Sequence, residues 1–121
     1  MAVLIQAPVV IRAAGTPPKK IQEFIGRVSS STSDTSVARM ISPQGWSEPG
    51  QTPDFDEYTI VLKGALMAET RQDSHIIREG QALIAPQGEW IRYSTPFDGG
   101  AEYISVCIPA FSGDTVHRDT D

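Results

Sequence analysis

Residues 45–64 read GWSEPGQTPDFDEYTIVLKG, and turn formers, acids and a β-forming run are compressed into that one stretch. Gly, Pro and Asp crowd its first half, which is therefore a loop. Tyr58-Thr59-Ile60-Val61-Leu62 then reads as a buried strand, and Lys63-Gly64 closes it with a turn. Glu57 sits where loop becomes strand, so regular backbone aims its carboxylate. Side chains alternate along a strand. If Glu57 points inward, Gln51, Pro53, Phe55 and Thr59 point inward with it, while Asp54, Asp56 and Tyr58 point away.

Working outward, residues 79–95, EGQALIAPQGEWIRYST, repeat the pattern of strands punctuated by turns at Gly80 and Pro86-Gln87-Gly88. By the same alternation Glu89, Ile91 and Tyr93 face the interior, with Trp90 and Arg92 on the other face or at the rim. Arg71-Gln72-Asp73-Ser74 suits a hairpin between ALMAET and HIIREGQALIAP, and Gly99-Gly100 permit a tight return before the strand AEYISVCIP. A strand is expected over Val37–Ile41, after the polar turn SSSTSDTS. Short strands at regular spacing without a long helix indicate an all-β antiparallel sandwich or barrel.

The first stretch resembles the opening motif of the cupin superfamily (RmlC-like proteins). Gly45, Glu57 and Gly64 fall at the motif's glycines and glutamate, and Gly80, Pro86 and Gly88 keep the spacing of the second motif. The resemblance implies a cupin-type β-barrel, the double-stranded β-helix or jelly roll. In cupins the motif histidines and the glutamate bind a metal; here Gln51, Pro53 and Ile91 stand at the histidine positions. WSEPGQTPDFDEY, GEWIRYSTP and PAFSGDTVHRD are similar to strings in short single-domain bacterial cupins. FDEYTIVLKG and the apolar Ile91 also resemble the cupin domain of ethanolamine-utilisation proteins.

At 121 residues one cupin domain spanning 1–121 is expected, with a core over about 37–109. An N-terminal edge strand over 2–12 should precede it and a polar tail over 110–121 follow, in which Phe111 packs and the last residues fray. KKIQEFIGR is expected to form at most one short helix, with Thr16 as its cap and Gly26 as its stop. A formal charge of −5 argues against nucleic acid as partner, and no apolar run is long enough to span a bilayer. Cys107 is the only cysteine, so no intrachain disulfide forms and a cytoplasmic location is the default. The apolar edge strand suggests a homodimer.

The inward positions define the candidate site. Glu57 is the candidate catalytic acid or base; Gln51, Tyr93, Trp46, Glu48, Trp90 and Arg92 are candidate substrate-binding residues. The bland alternative for Glu57 is a buried glutamate paired to Arg92, Arg39 or Lys63. Glu48, Asp54 and Asp56 read first as solvated loop acids, His75 and His117 as surface residues, and Cys107 as a small core residue. No metal site and no cofactor are expected, since most of the ligand set is lost. Three functions stay open: a metal-independent lyase or isomerase acting on a small polar molecule, a non-catalytic binding or sensor module, and a metal enzyme with an altered set drawn from Gln51, Glu57, Glu48, Glu89 or a tail histidine.

Overall fold

A computed structural model describes residues 1–120; Asp121, the last residue of the expected tail, lies outside the described residues. The strands are β1 (Val9–Ile11), β2 (Lys20–Ile25), β3 (Ser36–Ser42), β4 (Trp46–Ser47), β5 (Asp56–Thr70), β6 (Ser74–Arg78), β7 (Ala82–Ala85), β8 (Ile91–Thr95) and β9 (Ala101–Ile108). All pairings among them are antiparallel.

The long strand β5 organises the fold. Its first half pairs with β7 and β9, and its second half with β6 and β8. One sheet therefore runs β1-β2-β3-β9-β5-β7 and the other β6-β5-β8-β4, with β5 common to both. The register slips between Val61 and Lys63, and the inward phase changes with it. Thr59 and Val61 are buried before the slip, Leu66 and Ala68 after it. A one-residue bulge has this effect, since it turns every later side chain to the opposite face. The strand can thus bend from one sheet into the other and keep apolar residues inside throughout.

Between the sheets lies a core of Trp46, Val61, Leu66, Ala68, Ile77, Ile91, Tyr93 and Tyr103. A second cluster, Phe55, Cys107 and Val116 with Phe111 packed against it, fills the barrel nearer the chain's end. Phe55 and Phe111 meet edge to face at 5.9 Å. The all-β expectation holds, and the strands expected over 37–41, 89–95 and 101–109 are present as Ser36–Ser42, Ile91–Thr95 and Ala101–Ile108.

Three expectations need correction. KKIQEFIGR is not a helix: Lys20–Ile25 is β2, with Ile21 and Glu23 buried in a two-residue period and paired to β3. The apolar spacing fitted a helical turn, but Ile21 and Phe24 face opposite ways once the segment joins a sheet, and tertiary pairing overrides local propensity. Glu23 is buried and accepts hydrogen bonds from the backbone N–H groups of Val28 (3.1 Å) and Ser29 (2.7 Å). The N-terminal strand is confined to Val9–Ile11, after Pro8, which removes a ladder donor at that point.

Residues 115–119 of the tail are not frayed as expected. Asp54 N–H donates to the Thr115 carbonyl (2.9 Å), Thr52 N–H to that of His117 (3.1 Å), and Asp119 N–H to that of Gly50 (2.8 Å). Residues 115–119 therefore lie as a strap along 50–54, anchored by Val116 in the second core cluster.

Gly64, at the bend of β5, has φ +75°, and a Cβ there would overlap the carbonyl oxygen of Gly100. Gly88 has a similar φ of +82° with open space around it. We expect Gly64→Ala to lower stability by roughly 3 kcal/mol or more, because backbone must move. Gly88→Ala should lose only the left-handed strain, about 1–2 kcal/mol. Urea titration of both variants checks this, and equal losses would remove the close packing at the bend.

Candidate functional site

Glu57 enters the barrel at the start of β5, opposite Cys107 of β9 and Ala85 of β7. The Tyr93 hydroxyl donates to its Oε1 at 2.9 Å and the Ser105 hydroxyl to its Oε2 at 2.5 Å, with the Cys107 thiol 3.9 Å from Oε2. Both carboxylate oxygens are thus held by neutral hydroxyls. None of the three basic partners considered forms an ion pair with it: Arg39 pairs with Glu102, Arg92 with Glu69, and Lys63 with no acid among the described residues.

The carboxylate faces a cavity of about 50 Å³ whose lining includes Lys19, Glu48, Gln51, Tyr93 and Arg118. Alternation accounts for most of this. Gln51, Phe55, Glu57 and Thr59 all line it, whereas Asp54 and Tyr58 are exposed. Gln51 is fixed by its backbone, which exchanges N–H···O bonds of 2.9 Å with Ile91 in both directions. Its side-chain Oε1 is buried and has no partner among the described residues.

Glu48, which looked like a solvated loop acid, is buried and faces the same cavity just after β4. Burial raises its pKa above the ordinary value; Lys19 and Arg118 pull it back, and the charge of Glu57 adds to the rise. Burial also holds the Tyr93 hydroxyl protonated well above its usual range, reinforced by the charge of Glu57. Tyr93 is therefore a neutral donor. The Cys107 thiol is pushed far up by burial and then by Glu57, which suits a core thiol and not a thiolate nucleophile. Lys19 lies 4.1 Å above the Trp46 ring and 3.5 Å from the Tyr103 hydroxyl, which exchanges a 2.9 Å hydrogen bond with Ser42.

The structure brings Glu57, Gln51, Tyr93 and Glu48 to one cavity. Trp46 is buried in the core beneath Lys19, its indole N–H donating to the Ala14 carbonyl (3.2 Å). Trp90 and Arg92 lie outside. Trp90 packs over Gly50, with Arg71 4.3 Å from its ring and its indole N–H on Asp119 (2.8 Å), while Arg92 pairs with Glu69 on the outer face. Glu89, expected inward, is exposed because strand alternation begins only at Ile91. His75 is exposed on β6, and His117 bonds Asp54 at 2.6 Å on the strap.

Lys19, Ser105 and Arg118 were missed. Ser105 could have been found by counting in twos from Cys107 along β9, where Tyr103, Ser105 and Cys107 share the inward face. Lys19 and Arg118 lie beside β2 and in the strap, the segments whose reading the structure corrects.

The metal bound by cupins, which the two motifs resemble, would meet these donors. Of the four ligand positions, Pro53 and Ile91 offer no side-chain donor, and both oxygens of Glu57 already accept hydrogen bonds. Among the described residues no three His, Cys, Asp or Glu side chains converge as a metal would require. An amide and one carboxylate are a poor set for zinc, nickel or iron. The residues do not fit the group, and no chemical step is assigned to it.

The Glu48 shift has a consequence for pH. A raised folded pKa means that stability from this group is fully present below its ordinary value of 4.5 and is lost as pH rises through the folded value. We expect Glu48→Gln, which keeps a neutral polar group, to be more stable than the parent near neutral pH. The gap should close as pH falls toward 4.5. Thermal melts across that range check it, and a gap independent of pH would contradict it.

No family model matches the chain. A Myxococcus xanthus protein named endoribonuclease YbeY is 42% identical over 102 residues, which is 84% of this chain but 35% of that protein; the chain spans about a third of its length. Among solved structures, the polyketide cyclase RemF from Streptomyces resistomycificus superposes with TM-score 0.74 at 15% identity, covering 100% of this chain and 86% of that one. An RmlC-like cupin from Shewanella frigidimarina gives 0.70 at 12% identity, covering 88% and 87%. The Clostridium difficile EutQ protein gives 0.63 at 20% identity, covering 78% and 65%. The likeness to ethanolamine-utilisation proteins thus holds at the level of fold, and with the sheet that curls around β5 it establishes that this chain has the cupin fold.

Proposed function

We propose that the chain binds a small polar molecule inside the barrel and acts on it without a metal, as a lyase or isomerase in which Glu57 exchanges a proton with the ligand. The observation that carries this reading is the state of the Glu57 carboxylate. It faces a cavity, neutral Tyr93 and Ser105 hydroxyls orient it, and no cation neutralises it by contact. An ionised carboxylate can accept about four hydrogen bonds, so lone pairs remain for a ligand proton. Gln51 would orient the ligand's polar group from the adjacent position. Glu48, shifted by burial toward its protonated form, would supply a proton where Glu57 removes one, a division of roles between carboxylates set by environment.

A non-catalytic sensor is the second reading. It is favoured by the Myxococcus relative, in which the matching 102 residues form about a third of a longer protein. A binding module joined to other machinery would have that arrangement. Ribonuclease activity in this domain itself is disfavoured by a net charge of −5 and by a small, part-enclosed cavity that no nucleic-acid backbone could enter. Among the described residues no helix is long and apolar enough to cross a membrane. A cytoplasmic location remains part of this proposal.

The two readings separate at Glu57→Gln, which keeps shape and loses the proton. Under the enzyme reading turnover falls about 100-fold or more while ligand binding survives. Under the sensor reading only affinity changes. Unchanged turnover in the variant would defeat the acid/base role.

We also propose a homodimer. Tyr58, Ile60 and Leu62 of β5 stand exposed on the outer face beside Ile84 of β7 and Ile108 of β9. Light scattering should give twice the chain mass, and Ile60→Glu should give the monomer. A monomeric parent at micromolar concentration would refute it.

A further inference from the structure

Two polar atoms on cavity-lining side chains have no partner among the described residues, and their chemistry is complementary. Gln51 Oε1 is a buried acceptor without a donor, and Arg118 Nε is a buried donor without an acceptor. Leaving such a group unpaired costs about 1–3 kcal/mol. A single ligand that offers a donor to one and an acceptor to the other would satisfy both.

Charge narrows the ligand further. Lys19 and Arg118 both line the cavity, and both act on Glu48 through space. Among the described residues neither forms an ion pair. The cations thus converge on a space they do not neutralise. Burial moves Glu48 toward its neutral acid, which favours an anion beside the two cations that line the same cavity. A dianion would also meet the Glu48 and Glu57 carboxylates, which line the same cavity. Arg118 arrives on the C-terminal strap, whose backbone bonds to residues 50–54 hold it beside Gln51. Size is a third limit: a cavity of about 50 Å³ holds about four water-sized sites, which suits an acid of a few carbon atoms.

We propose that the ligand is a small hydroxy monocarboxylate, its carboxylate between Arg118 and Lys19 and its hydroxyl donating to Gln51 beside Glu57. This rests on the reading of the barrel as a small-molecule site and gives that site its substrate class. Arg118 is here a specificity-determining residue, since an amide of the same shape could make the neutral contacts but not the ionic one.

The test is titration of the isotope-labelled full chain with glycolate, lactate and 3-hydroxybutyrate, and with glycolamide and lactamide, followed at the Gln51 side-chain amide and the Trp46 indole. We expect at least one acid to bind and its amide to bind at least ~10-fold more weakly, the factor carried by one charge-assisted contact. Arg118→Gln and Lys19→Gln should each weaken the acid by a similar factor and weaken the amide less, so that the acid-to-amide ratio falls, with Arg118→Lys intermediate. Dispersed spectra of these variants show that they fold. Amide binding equal to acid binding, undiminished acid binding by Arg118→Gln, or no response to any of the three acids overturns the proposal. Propane-1,2-diol separates the two levels of the argument. If it perturbs Gln51 while every acid fails, the anion inference falls and the small-molecule cavity stands; if diol and acids both fail, both fall.

Discussion

Strand β5 has to serve two sheets, and the barrel follows from how it does so. An antiparallel strand that paired in only one sheet would leave the other without a continuous edge. Here fifteen residues run through both, from Asp56 to Thr70, and the slip between Val61 and Lys63 reverses the inward phase at the bend. Burial on one side of the slip falls on Thr59 and Val61, on the other on Leu66 and Ala68. Gly64 is confined by the Gly100 carbonyl at the same place, so the bend is fixed by backbone packing. Glu57 and Thr59, which line the cavity from β5, precede the slip and share the inward phase of Val61.

The site is built from neutral donors around an anion and from cations that stay apart from their counter-charges. Tyr93 keeps its proton because burial and the nearby Glu57 charge both oppose its loss, and it can therefore donate to Glu57 at any moderate pH. Ser105 does the same from β9. Glu48 is treated differently by its surroundings: desolvation outweighs the pull of Lys19 and Arg118. Of the two glutamates lining the cavity, Glu48 is thus pushed toward its protonated form, while Glu57 is held by the neutral Tyr93 and Ser105 hydroxyls. The strap adds the last element by bringing Arg118 to the cavity lining beside Gln51.

Much of this was legible in the sequence where a two-residue period was anchored by a motif. Counting from Glu57 placed Gln51, Pro53, Phe55 and Thr59 inside and Asp54 and Tyr58 outside, as the structure has them. Counting from Ile91 placed Tyr93 correctly, but extending the count back to Glu89 failed because the strand had not yet begun. β2 was misread since Ile21, Phe24 and Ile25 satisfy a helical spacing as well as they satisfy a strand, and only pairing with β3 decides. The strap was misread for a related reason. Its polar composition describes a solvated end, whereas its position is set by backbone bonds that no side chain announces. Lys19 and Arg118 were overlooked with the segments that carry them.

The central claim is that the barrel receives a small organic molecule against Glu57 and Gln51. A high-resolution crystal structure of protein purified without chelators or added ligand tests it most directly. The account predicts a compact organic molecule within hydrogen-bond distance of Gln51 Oε1 and the Glu57 carboxylate, with the Tyr93 and Ser105 contacts kept. A metal ion about 2 Å from Glu57, or a cavity closed by protein side chains, would contradict it.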